Sequence, residues 1–223
     1  MLQFTKVKRS ALVAVISGFA LFFSHKSAGQ IHSGKFVKKN IDSLTVFEPW
    51  VYVTALKGSG REYDTALNAK LRKDLHSKVF SLLSRKYTAN KFTSDQQSVS
   101  EAELGKLFQT LDEARKGTTE VAAPPYILDA INANEGRYCL LVFLQAHYDA
   151  DMAPYENIQQ AMKTSRVYLN TDQFRSDLRL VIVDKHNNNI IYYNKKNSGT
   201  VDPRIPDFIK QQVLAVVKPI YYK

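Results

Sequence analysis

The chain has 223 residues and a mass of 25.3 kDa, 44% of them hydrophobic and 23% charged, which is enough apolar content for a packed core and too little polarity for a disordered chain. Nine Gly and seven Pro exclude collagen-like and low-complexity architectures, and a single cysteine excludes a disulfide framework or a cysteine-built zinc site. Thirty-one Lys and Arg against 21 Asp and Glu give a formal charge of +10.

Lys6, Lys8 and Arg9 precede the apolar run Ala11 to Phe23, and a polar, small-residue stretch follows from Ser24 to Gly29. This is the plan of a secretory signal peptide over residues 1–29, with Ser27 and Gly29 as the small residues before a cut that leaves Gln30 first. The run is shorter than the ~20 apolar residues that cross a bilayer, and no later segment approaches a membrane span. Cys139 is far from the cut, so no lipid-anchor cysteine follows it. Removal of the segment takes four basic residues and no acidic ones, leaving +6. A moderate positive charge suits an anionic surface or polymer; export and the lack of an aromatic-interleaved basic motif argue against nucleic acid.

Residues 30–40 carry Lys35, Lys38 and Lys39 without a clear period and read as a basic lead-in that either is solvated or touches an anionic surface. Leu44 to Val53 is β-branched and aromatic and predicts a strand, with Pro49 marking an edge, bulge or break and Trp50 as a packing residue. Leu67, Leu71, Leu75 and Val79, continued by Leu82 and Leu83, predict an amphipathic helix over 65–86 capped by Asp64. Ser100 and Glu103 form a capping box that opens a second helix running to Gly117, and Pro125 opens a third, ending near Asn134. Tyr138 to Leu144 is a continuous apolar run of seven and predicts a central strand covered on both faces. Residues 149–176 are a polar excursion, with a short helix expected around 155–168. Leu178 to Val183 and Ile190 to Tyr193 predict a hairpin whose Asn run tolerates left-handed backbone, and a last helix follows Asp202 and Pro203 or Pro206 and stops at Pro219. The sum is one α/β domain over 41–223: a single mixed β-sheet with packed amphipathic helices, including a C-terminal β-hairpin followed by a helix.

The chemical inventory is short. Lys57 to Asp64 (KGSGREYD) places two glycines between a strand and a helix, where Lys57, Arg61 and backbone amides form a candidate anion site. It matches neither the Walker nor the dinucleotide pattern, and a flexible strand-to-helix turn is the alternative. His32, His76, His147 and His186 are scattered, with His76 and His186 expected in solvent; Asp149, Asp151 and Glu156 lack the glycine and spacing of a calcium loop. No metal or cofactor is implied. Cys139 sits in the most apolar strand and reads as a core residue. The doublets Tyr192–Tyr193 and Tyr221–Tyr222 fit either cross-strand packing or a binding face.

The order of strand, long amphipathic helix, YCLLVFL, the hairpin LRLVIVDKHNNNIIYY and a final helix, with Asp184 and Asn187 to Asn189 in the turn, resembles the envelope α/β domains of the curli-secretion lipoprotein family. It is similar in the same way to the amino-terminal domain of the Tol-system propeller protein. The resemblance covers residues 41–223 in element order; the lipidated Cys of the secretion lipoproteins is missing. It implies a non-enzymatic envelope component, periplasmic or secreted, that works through an envelope protein partner. A hydrolase of an envelope polymer, using a carboxylate pair or a carboxylate with His147, is the alternative reading.

Overall fold

A computed structural model describes residues 31–32, 41–93, 99–114, 121–154, 174–198 and 202–221. The expected signal peptide, most of the lead-in and the short helix around 155–168 lie outside these residues. Along the chain run β1 (Ile31–His32), β2 (Ser43–Phe47), β3 (Trp50–Lys57), β4 (Gly60–Tyr63), α1 (Thr65–Leu83), β5 (Thr88–Phe92) and α2 (Glu101–Ala114). They are followed by β6 (Val121–Ala122), α3 (Pro125–Asn132), β7 (Tyr138–Asp149), β8 (Phe174–Asp184), β9 (Asn189–Ser198) and α4 (Pro206–Tyr221).

The nine strands form one mixed sheet with β7 at its centre. On one side β7 pairs antiparallel with β8 along its length, and β8 pairs with β9. On the other side two parallel strands share its edge: β2 meets Cys139 and Leu140, and β3 meets Phe143 to Asp149. The predicted strand over 44–53 is therefore two strands, separated at Glu48–Pro49, where a proline without an N–H ends the ladder. β5 extends the sheet beyond β2, and β4 folds back on β3 as a hairpin through Gly58, whose φ of 55° suits glycine. Residues 57–64 are thus a β-hairpin rather than a flexible strand-to-helix turn. β1 and β6 lie along the outer edge of β9.

Side-chain alternation on β7 divides the core in two. Leu140, Val142, Leu144, Ala146 and Tyr148 face α1 and α4; Cys139, Leu141 and Phe143 face α2 and α3. On α1, Leu71, Leu75, Val79 and Leu83 form the buried stripe expected of the four-residue spacing, and α4 buries Ile209, Val213, Val216, Val217 and Ile220 beside it. α2 covers the other face with Leu104, Leu107, Phe108 and Leu111, and α3 with Ile127 and Ile131. Trp50 is buried there and stacks on Phe143 at 5.0 Å. In β9 a bulge leaves Ile191 unpaired between Ile182↔Tyr192 and Val183↔Ile190, so Ile191 and Tyr192 both face α1 and α4 while Tyr193 faces the other layer. Both tyrosines of that doublet are fully buried, which removes it as an exposed binding face.

Polar side chains fix the layers. Asp64 caps α1 by accepting from the Leu67 N–H, and Asn68 bonds the backbone N–H and C=O of Val53 at 2.8 and 2.9 Å, pinning α1 to β3. His76, expected in solvent, is buried, and its Nε2 lies 3.0 Å from the Val46 carbonyl; an i+1 neighbour of Leu75 still lies on the sheet side of a helix wedged against two strands. The Ser100–Glu103 capping box forms, with the Ser100 amide and hydroxyl donating at 2.8 and 2.7 Å, and these bonds hold the Glu103 carboxyl below its usual range. In the β8–β9 turn, Asn188 takes the left-handed φ of 54° expected of the Asn run. Asp184 gathers Arg137 bidentately, the His186 N–H and the Asn187 amide; burial alone would raise its carboxyl, but these donors hold it below the ordinary value.

Several boundaries differ from expectation. α1 stops at Leu83 and α3 at Asn132, while β7 and β8 run on to Asp149 and back to Phe174, which shortens the excursion from 149–176 to 150–173. α4 continues through Pro219 to Tyr221; the Ala215 carbonyl that Pro219 leaves without its helical donor lies on an exposed residue.

Candidate functional site

α4 is held in one rotation. Gln212 accepts from Ser176 Oγ at 2.8 Å and donates to the Ser176 carbonyl at 3.1 Å, Asn194 donates to the Val216 carbonyl at 3.0 Å, and Tyr87 Oη donates to the Ile220 carbonyl at 2.7 Å. At its start, the buried Asp202 binds Arg204, which also donates to the Met152 and Ala153 carbonyls and stacks on Tyr148 at 4.4 Å. With Val213 and Val216 turned to the sheet, Lys210, Leu214 and Lys218 point outward at helical spacing.

Between this outer face and α1 lies a groove of about 300 Å³ lined by Ser77, Lys78, Ser81, Leu82, Lys210, Val213 and Leu214. Its floor is apolar: Val213 is 1% exposed, Leu82 half-buried, and Leu214 stands open at 41%. Large exposed apolar side chains are scarce among the described residues, Tyr63 on β4 being the other. The rim is basic. α1 carries Lys70, Arg72, Lys73 and Lys78 against Asp74, and α4 carries Lys210 and Lys218 against Asp207; α2, on the opposite layer, carries Glu101, Glu103, Asp112 and Glu113 against Lys106. Neither Lys78 nor Lys210 pairs with a carboxylate among the described residues. An apolar recess with cationic edges can take an apolar side chain flanked by negative charge; no His, Cys, Asp or Glu is among the residues that line it.

The two residues singled out for anion binding are both on the β3–β4 hairpin. Lys57 forms an ion pair with Glu62, and Arg61 is exposed and sits opposite Leu56. The helix amino terminus is four residues further on and is already occupied by the Asp64 carboxylate.

The groups considered for hydrolysis lie toward the Asp149 end of β7 and the adjoining start of β8. His147 is half-buried on β7 opposite Arg175. The nearby carboxylates are engaged: Asp177 takes Arg175 at 3.0 Å and Arg179 at 3.7 Å, Asp112 takes Lys195 at 2.7 Å, and Glu101 accepts from Gln145, which in turn holds Arg179. Among the described residues no group of three or more His, Cys, Asp or Glu is placed to hold a metal. Asp149 accepts from the Asp151 N–H in a local turn, and Glu156 lies outside the described residues. Cys139 is fully buried; burial raises its thiol pKa against smaller opposing effects from Asn134 and Lys185.

Sequence reasoning nominated none of the groove residues. Leu214 adjoins Val213 in an apolar stretch that reads as one face, and only its place out of the buried spacing of Ile209, Val213, Val216 and Val217 signals that it points away.

No known family and no curated protein matches the chain. Among solved structures it is distantly similar to the PelC dodecamer from Paraburkholderia phytofirmans, at 9% identity over 88% of this chain and 98% of that one, with a TM-score of 0.42. It is also similar to lipoprotein GNA1162 from Neisseria meningitidis, at 12% identity over 82% and 98% (TM-score 0.34), and to the LpoB C-terminal domain from Salmonella enterica, at 12% over 81% and 90% (TM-score 0.28).

Proposed function

We propose that this chain is an exported envelope protein that acts as a non-enzymatic accessory domain, by protein–protein contact through the outer face of α1 and α4. The observation that carries the reading is Leu214, a large apolar side chain left 41% exposed at the edge of an apolar groove by a helix whose rotation four side-chain hydrogen bonds fix. A lone exposed leucine needs no explanation, but one set over a recess between two lysines has the make-up of a contact site. The amino-terminal pattern of Lys6, Lys8 and Arg9 before Ala11 to Phe23 supports export, and the resemblance of the element order in the sequence to that of the curli-secretion lipoproteins and the Tol-system domain supports an envelope role.

The test is a photo-crosslinking amino acid placed at Leu214 in the full chain and, separately, at the exposed Gln109 on α2, in intact cells. Position 214 is expected to give a discrete adduct with one envelope protein and position 109 none. No adduct from 214, or the same adducts from both positions, contradicts the proposal.

A further inference from the structure

We infer that the groove between α1 and α4 receives a short acidic segment of a partner protein, with one apolar side chain seated on Val213 and Leu214 and flanking carboxylates paired with Lys78 and Lys210. The inference deepens the contact reading above and rests on it. Size sets the first limit. The lining runs from Ser77 to Leu82 and from Lys210 to Leu214, about 7.5 Å and about 6 Å along the two helices at 1.5 Å per residue, so the groove admits an anchor residue and its neighbours and not a long helix face.

Charge sets the second. Lys78 and Lys210 lie on opposite walls, neither paired with a carboxylate among the described residues, within a helix layer where cations outnumber anions. The lysine stems extend the apolar wall while their ammonium groups stay at the rim, so a segment bearing carboxylates on both sides of its anchor satisfies them and a basic one is repelled. The rim hydroxyls of Ser77 and Ser81 add hydrogen-bonding capacity without opposing that sign.

Shape sets the third. A surface that enters a bilayer offers projecting apolar side chains, whereas here Val213 lies at the bottom of a recess and the site receives rather than inserts. A second copy of this chain fits poorly. The other large exposed apolar residue among the described ones, Tyr63, is flanked by Arg61 and by the Lys57–Glu62 ion pair, which would bring net positive charge to a positive rim.

Three twelve-residue peptides test the inference against the full chain after signal removal, read by backbone amide shifts and fluorescence anisotropy: one with a central Leu between Glu and Asp residues, one with that Leu replaced by Ser, and one with Lys replacing the acids. The first is expected to bind saturably, shifting amides of Ser77 to Leu82 and Lys210 to Leu214, with the other two at least about tenfold weaker. A K78E/K210E double variant is expected to exchange partners and bind the Lys peptide, a gain that misfolding cannot imitate. Equal binding of all three peptides overturns the inference. So does a response of the same amides to phosphatidylglycerol vesicles or to the chain's own concentration when the acidic peptide gives none. A crosslink from position 214 without acidic-peptide binding would leave the contact surface standing and overturn only its occupant.

Discussion

At the scale of single residues, the buried polar groups act as fasteners, and each reports a packing decision that composition does not reveal. Tyr148 Oη donates to Asp64 Oδ2 at 2.6 Å, so the residue that caps α1 is also held from β7. Burial first, then the Asp64 hydrogen bond and charge and the charge of Asp202, outweigh the nearby Arg204 and push the Tyr148 hydroxyl up to about 12. A group whose folded pKa lies above its unfolded value, near 10 for tyrosine, adds stability that is complete below about pH 10 and is lost as pH rises through about 12. Tyr148→Phe is expected to cost about 1.5 kcal/mol at pH 8, as for a hydrogen bond to a charged group, with the gap from the wild type narrowing as pH rises toward 12. Urea unfolding at pH 8 and pH 11 measures both; a gap that does not change with pH would mean that this tyrosine ionises alike in both states. Little at this scale was legible beforehand. Asp64 as a cap and Ser100–Glu103 as a box are local and follow from spacing, and Cys139 as core follows from its strand. His76 failed because helix periodicity locates the centre of a buried face and not its width, and a ring nitrogen can follow the chain inward when a strand carbonyl such as that of Val46 awaits it.

At the scale of elements, the legible ones carry enough apolar side chains to declare a period. Leu71, Leu75, Val79 and Leu83 on α1 and the run at the start of β7 met that condition, and the β8–β9 hairpin followed from apolar runs on both sides of Asn187 to Asn189. The ends of β7 and β8 were missed because Gln145, His147, Arg175 and Asp177 interrupt the apolar runs; polar residues are tolerated there because Asp177 pairs with Arg175 and Arg179 while Gln145 bonds Glu101 and Arg179. β1, β4, β5 and β6 were missed because edge strands of two to five residues bury too little to show a pattern. The same contrast distinguishes the residues that hold the fold from those that face outward. Leu75→Ala empties a fully buried site on α1 and is expected to cost about 2–5 kcal/mol in thermal or denaturant unfolding. Leu214→Ser on α4 is expected to shift stability by no more than about 0.5 kcal/mol while abolishing the crosslink partner's association. A loss of several kcal/mol from Leu214→Ser would make that leucine part of the core and remove the reason to regard it as a contact residue.

At the scale of the whole molecule, the sheet separates two helix layers of opposite sign: α1 and α4 carry an excess of Lys and Arg, and α2 an excess of Asp and Glu. The single mixed sheet with β7 at its centre was legible because the most apolar strand must be the one covered on both faces. The groove was not, because Lys78 and Lys210 lie 132 residues apart in sequence and meet only after α4 returns across the sheet to α1. The hairpin of Lys57 and Arg61, by contrast, was visible as a glycine-rich motif, yet its residues pair locally across β3 and β4. Local motifs announce turns; a surface assembled from distant helices has no local signal. The proposed contact therefore depends on which layer meets the partner. Hydrogen–deuterium exchange of the full chain, alone and with the envelope protein trapped by crosslinking, decides it: the account expects added protection in peptides covering 74–83 and 208–217 and none in 101–114, and protection confined to 101–114 or to the β3–β4 hairpin would contradict it.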